Sequence, residues 1–192
     1  VHQRLLPDTL RRLLGSPILP ALSSRVEVID QLSQGKLTTA YSYHHGYWDG
    51  AEREFRGFGR VDQRDTEPFE RYHAAGHATG PDDTRAFAPV AQERFSPPLE
   101  TRTWFHQGPI GDACGDWQEH DFGAEHWPRD SCLLSRPPAM TAFLRDLPRR
   151  TRRDALRTLR GRILRSELYA LDGRERQDRP YTVTEYLHGR LA

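Results

Sequence analysis

The stretch Tyr41-Ser-Tyr-His-His-Gly-Tyr-Trp-Asp-Gly-Ala-Glu-Arg-Glu-Phe-Arg-Gly-Phe-Gly-Arg-Val61 decides how this chain folds. Side chains alternate across a β-strand, so Tyr41 and Tyr43 share one face while the neighbours His44 and His45 point to opposite faces. The segment from His45 carries Gly46 and ends in Asp49-Gly50, the dipeptide most strongly associated with a tight hairpin turn. Glu52 to Asp65 then alternates charge with Phe55, Phe58 and Val61, and Gly57 and Gly59 mark a bulge or a close backbone approach. Upstream, Val26, Val28 and Ile29 form a short apolar strand, Ser33 to Lys36 a turn, and Leu37 to His44 a Thr- and Tyr-rich strand. Residues 24–66 therefore predict an antiparallel meander.

Working outward, residues 1–23 predict a helical lead-in built on Leu5, Leu6, Leu10, Leu13 and Leu14 and ended by Gly15 and Pro17. Residues 67–138 read as an irregular connector with one short strand at 101–106. In residues 139–192, Ala139 to Leu147 predicts a short helix, and Thr151 has the position of an N-cap with Asp154 behind it. An Arg-rich helix follows that Gly161 would limit, with Leu156, Leu159 and Ile163 at helical spacing. Ile163–Leu171, Asp172-Gly173 and Tyr181–Leu187 predict a closing hairpin. The expected fold class is mainly β with helical inserts.

Composition bounds the function. Against 27 acidic residues stand 28 basic ones, a net charge of +1 that argues against a uniformly basic nucleic-acid binder. Hydrophobic residues are only 36% of the 192, so strands this charged need neighbours to cover them. No apolar run approaches the ~18 residues of a membrane-spanning helix. The first residue is Val1 and the only methionine Met140, which suits a piece of a longer protein. Cys114 and Cys132 allow one disulfide at most.

Several ordered segments resemble the middle-to-C-terminal region of the B component of bacterial insecticidal toxin complexes, the SpvB/TcdB-like proteins related to RHS/YD-repeat proteins. They are the Tyr41–Val61 run, Thr101-Arg-Thr-Trp-Phe-His-Gln-Gly108, Ala155 to Gly173, and Pro180-Tyr-Thr-Val-Thr-Glu185. The resemblance implies a structural role: a segment of an RHS-type β-shell that encloses and delivers a toxic cargo polypeptide outside the cell. Its implied partners are the C component, which carries the toxic domain, and the A component, which forms the translocation pore. The motif residues carried over are Tyr41, Tyr43, His44, His45, Gly46, Asp49, Gly50, Glu54, Phe55, Gly57, Phe58, Gly59, Trp104, Phe105, His106, Tyr169, Asp172 and Gly173, all as structural positions.

The residues themselves point to no catalytic constellation, cofactor or metal set. Glu52 and Glu54 read as two carboxylates on one strand face, the residue type for acid–base work or for an ADP-ribosyltransferase. No Ser-Thr-Ser strand accompanies them, and a solvated strand face is the favoured reading. Cys114, His120, Asp121, His126 and Cys132 are zinc-ligand types without a Cys-x-x-Cys pair, and read as incidental loop residues. Nine arginines between Arg145 and Arg165 form a local positive excess, with Arg153, Arg157 and Arg160 expected on a solvated or intramolecularly paired face. Their alternative function is binding nucleic acid or an acidic protein.

Overall fold

The computed structural model describes residues 22–29, 36–50, 52–65, 96–111, 117–130 and 134–188. Residues 1–21 of the lead-in, residues 33–35 of the expected turn, residues 67–95 of the connector, Cys114 and Cys132 lie outside them.

Strands β1 (Arg25–Ile29), β2 (Lys36–Asp49), β3 (Glu54–Asp65), β4 (Leu99–Phe105), β7 (Ile163–Ala170) and β8 (Thr182–Glu185) form one antiparallel sheet in the order β1-β2-β3-β4-β7-β8. A separate two-stranded sheet pairs β5 (Pro109–Gly111) with β6 (Trp117–Glu119), followed by a 3-10 turn at Gly123–Glu125. The 107–138 segment, expected to be irregular, thus holds a small hairpin, and its Phe122 is buried against the large sheet at Gly59. Its Gly, Asp and Pro content concealed the two three-residue strands.

The β2 strand is longer than the turn signals within it suggested, running through Gly46 to Asp49 before the chain reverses at 50–53. Its pairing slips between Gly46 and Trp48, where β3 carries the extra residue around Gly57, whose φ of +90° is the left-handed geometry a bulge needs. Gly59 serves a different end. A Cβ there would sit 2.5 Å from the Phe122 ring, so only glycine lets the loop close on the strand.

The Arg-rich segment is not one helix. Helix α1 spans Pro138–Asp146 and α2 spans Arg149–Arg157, separated at Leu147-Pro148 because proline disfavours helical geometry in the residue before it. Pro148, not Thr151, precedes the first turn of α2, and Thr151 lies inside the helix. The chain turns at Thr158–Gly161, where Gly161 has φ +76°, so Ile163 and Arg165 belong to β7. Among the described residues the buried apolar core is small, with Trp104, Phe122, Leu156, Tyr169 and Ala170 as its hydrophobic members.

Candidate functional site

Register places three rows of side chains across one face of the large sheet. They are His44, Arg60, Trp104, Arg165 and Glu185; Ser42, Asp62, Arg102, Glu167 and Val183; and Ala40, Arg64, Glu100 and Tyr169. This charged face is the one that residues 120–130 cover. Strands β3, β4 and β7 each carry opposite charges two residues apart, close enough to pair along the strand. Arg60 grips Asp62 with two hydrogen bonds of 2.7 Å, Arg102 donates to Glu100 at 2.7 Å, and Arg165 donates to Glu167 at 2.7 Å.

Cross-strand and covering contacts close the network. Arg64 donates to Glu100 at 2.6 Å, Arg102 lies 4.3 Å over the Tyr169 ring, and Tyr169 donates its hydroxyl to Glu167. Arg165 also reaches Glu185 and, at 2.7 Å, Asp130 of the cover, while the Trp127 amide donates to Glu167 at 3.0 Å. Arg165 and Glu167 have side chains 1% and 0% exposed, so a charge without its partner here would be severely penalised. Burial opposes ionisation of Asp62 and Glu100, yet the hydrogen bonds from Arg60, and from Arg64 and Arg102, hold both carboxyls below their ordinary range.

At the bulge end, a second cluster joins the β2–β3 turn to α2. The buried Asp49 carboxylate accepts from Arg56 and, at 3.4 Å, from Arg153, while Arg56 also donates to the Pro109 carbonyl at 3.0 Å. Glu52 takes Arg153 at 3.3 Å and Arg157 at 3.1 Å; Glu54 takes Arg157 at 3.3 Å and Arg160 at 2.8 Å. One expectation is corrected here. Glu52 sits in the turn before β3, and neither carboxylate belongs to a solvated strand face: both are clamped by the helix. Of the two faces expected for Arg153, Arg157 and Arg160, the intramolecularly paired one is found, and Arg153 is buried as well. Burial raises the Glu54 pKa, but the Arg160 hydrogen bond and the nearby guanidiniums outweigh it and leave the carboxyl low, the opposite of what a proton donor needs.

A third group lies where the cover meets β2. His45 Nε2 is 2.7 Å from Glu125, the His45 and His120 ring centroids are 5.3 Å apart, and His120 stacks on Phe122 at 4.3 Å. His44 pairs with Asp62 at 2.9 Å, and its ring lies 6.4 Å from that of His45. The two neighbours were expected on opposite strand faces, but both meet the charged network, His44 through Asp62 and His45 through Glu125, because the φ of 55° at His45 breaks the alternation. Gln107 donates to the carbonyls of His45, at 2.5 Å, and Gly57, at 3.2 Å, tying both bulged strands together.

The remaining motif residues divide between packing and turns. Tyr41 and Tyr43 stack at 6.4 Å, and Tyr43, Phe58 and Phe55 form a chain of rings at 4.9 and 5.1 Å beneath Gly46. Trp104 is fully buried, Phe105 pairs with Ile163, and the half-buried His106 faces His188 at 5.8 Å. Gly50 has open space around it, while Asp172 caps the Arg174 amide at 3.0 Å in the β7–β8 turn with Gly173 at φ +71°. Sequence reasoning missed Arg56, Arg165, Glu167, Gln107 and Glu125. The i, i+2 alternation of opposite charge in three strands was the available signal for the first three.

Two family models match this chain. Residues 13–75 match the insecticide toxin TcdB middle/N-terminal region, and residues 154–188 match the TcdB middle/C-terminal region. Both matched regions are TcdB-type B-component sequence. The Tyr41–Val61 run falls in the first of these regions, so the chain spans parts of both.

No curated protein matches. Among solved structures, the chain is similar to the crystal structure of TcdB2-TccC3-Cdc42, at 23% identity and a TM-score of 0.52, covering 93% of this chain and 8% of that one. It is also similar to TcdB2-TccC3-TEV and to TcdB2-TccC3 without its hypervariable C-terminal region, each at 24% identity, a TM-score of 0.50 and the same coverages. These likenesses show the TcdB2-like fold over a small fraction of much longer chains. The charged ladder draws β2 and β3 from one TcdB region and β7 and β8 from the other, while the cover at 117–130 lies between the two matches.

Proposed function

We propose that this chain is a wall segment of the β-shell of a toxin-complex B component, which encloses a toxic cargo polypeptide for delivery outside the producing cell. Its direct partner in this reading is the C component that carries the cargo, and the A-component pore is engaged by other parts of the B component. The meander at 24–66 and the helix–hairpin unit at 139–192 act as one piece of wall, and the motif residues from Tyr41 to Gly173 serve as its packing and turn positions. The observation that carries the reading is a six-stranded sheet whose described outer strands each have one neighbour.

Apolar groups left in solvent support it. Val28 at the β1 edge is 58% exposed, Phe143 on α1 62% and Tyr181 72%, surfaces that suit continuation into further wall. No helix among the described residues is long and apolar enough to cross a membrane. The alternative role for the Arg145–Arg165 stretch finds no support, because Arg153, Arg157, Arg160 and Arg165 are already bound to acids of this chain.

The test is limited proteolysis of the intact B component co-expressed with its C component, with and without residues 25–188. Cargo that resists protease only when the segment is present supports the wall role. Cargo equally protected without it overturns that role.

A further inference from the structure

We propose that His45, His120 and Glu125 form a binding site for a divalent transition-metal ion, zinc foremost, which fastens the covering loop to β2. One ligand atom from each residue can be chosen so that all lie within 4.8 Å of one another. Two imidazoles and a carboxylate are the donor set of three-ligand zinc centres that keep a fourth position open. Tetrahedral coordination at zinc–ligand distances of about 2.0–2.2 Å would place ligand atoms roughly 3.3 Å apart. His45 and Glu125 are already closer than that, so the adjustment falls on His120. Calcium and magnesium are disfavoured, because they take mainly oxygen ligands.

The surroundings resemble the outer shell of such a centre. The Glu125 carboxylate divides its work: one oxygen faces His45, while the other accepts from Arg60 at 3.0 Å and from the Trp104 indole at 3.4 Å. Ligating carboxylates are commonly oriented by hydrogen bonds of this kind. Arg60 is itself neutralised by the two-point grip on Asp62, which limits its repulsion of a cation. Phe122 packs against both imidazoles, at 5.5 Å from His45 and 4.3 Å from His120, and reaches that position only because Gly59 leaves room for it.

His45 carries a second, independent sign. Its φ of 55° lies in the left-handed region, uncommon for a non-glycine residue, and the Gln107 hydrogen bond to its carbonyl restrains it there. Held backbone strain of this kind clusters at ligand clamps. The His45 and Glu125 side chains remain 35% and 26% exposed, which leaves an entry path for the ion. The site joins a strand inside a TcdB match to a loop outside both matches, and His45 and His120 are 75 positions apart in sequence, so no spacing motif announces it.

The test uses the intact protein, stripped of metal with a chelator and titrated with Co2+ alone, then with Zn2+. One-to-one uptake with visible d–d absorption that Zn2+ abolishes is expected. His120→Ala, Glu125→Gln and His45→Asn should each weaken binding at least about 10–100-fold, the loss typical of even outer-shell changes at metal sites. Asn tolerates the left-handed backbone, which keeps the His45 variant folded, and His44→Ala is the neighbouring control that should bind normally. Zn2+ should also slow amide exchange at 120–126 in the wild type and not in His120→Ala. Absence of saturable uptake, a spectrum that all three ligand variants retain, or equal weakening by His44→Ala overturns the site.

Discussion

The two faces of the large sheet solve the same packing problem in opposite ways. One face carries Arg60, Arg64, Arg102 and Arg165 against Asp62, Glu100, Glu167 and Glu185, and is the more deeply buried around β4 and β7. The other carries Tyr43, Val61, Thr103 and Ser166, then Tyr41, Gln63, Thr101 and Leu168, mostly half-buried. Charge has gone inside and mildly apolar groups remain outside. Such an inversion is tolerable only when every buried charge meets a partner, since desolvating an unpaired ion costs several kcal/mol. Pairing along β3, β4 and β7, with Arg64 to Glu100 and Arg165 to Glu185 across strands, meets that condition before any loop docks. The cover then adds Asp130, Glu125 and the Trp127 amide.

The sharpest way to break this contrast is to remove one partner from the charged face. Glu167→Ala should lower the opening free energy of β4 and β7 by about 3–5 kcal/mol, because the buried Arg165 would lose one of its three carboxylates and the Tyr169 hydroxyl and Trp127 amide would lose their acceptor. Hydrogen exchange at those amides in the intact protein measures it. The double variant Arg165→Met/Glu167→Leu should recover most of the loss, since apolar replacements of similar volume often match a buried pair. A large loss in the double variant would mean that the charges contribute beyond mutual neutralisation.

Closure of the cover is the next target. Gly59→Ala should cost about 1–3 kcal/mol through the clash with Phe122 and should expose residues 120–126 to exchange before the sheet opens. Gly57→Ala meets no atom within 4 Å, and its cost arises only from the φ of +90°, about 1 kcal/mol. Equal losses at the two positions would remove the distinction between a close approach and a bulge.

Acid should weaken the covered side first. Burial depresses the His106 pKa to about 4, with His188 and Arg136 adding to the fall and the Glu119 carboxylate opposing it. Burial also lowers that of His126, which faces Arg165, Glu167, Glu185 and Asp121. Both imidazoles bind protons more readily in the unfolded chain, so their contribution is complete above pH 6.5 and declines as pH falls through the folded value. The lowered carboxyls Glu54, Asp62, Glu100 and Glu125 act in the same direction below their ordinary values near 4. Thermal melts at stepped pH should show falling stability below pH 6.5, with His106→Gln reducing the early part of the fall. A flat profile from pH 7 to 5 in the wild type would contradict the burial of these rings.

The smallest effect belongs to the open side. Val28→Thr, at a side chain 58% exposed, should change stability by about 0.5 kcal/mol or less. Within the assembled toxin the same substitution should matter more, if that surface meets another wall segment; comparing exchange at β1 in free and assembled protein decides it.

Much of the strand pattern was legible because a period of two and Gly-centred turns are local properties. The alternation around Tyr41 and Tyr43, the Asp49-Gly50 and Asp172-Gly173 turns, and the strand after Gly161 depend on neighbouring residues alone. Thr151 misled because its cap signal is intrinsic to the residue, whereas Pro148 had already set the helix start. The clamp of Glu52 and Glu54 by α2 was illegible for another reason: the residues that meet are about a hundred positions apart.

Sequence alone determined which side chains share a strand face away from the irregular stretch at His45 and Gly57, since regular pleating fixes that whatever lies above or below. It also determined that Arg60 and Asp62, Glu100 and Arg102, and Arg165 and Glu167 stand close enough to pair. Only the tertiary structure decided which of the two faces would be covered. An alternating charged strand is equally consistent with a solvated ladder and a buried one, and the choice was made by Phe122 closing on Gly59 and by α2 closing on Asp49, long-range contacts that no local pattern encodes.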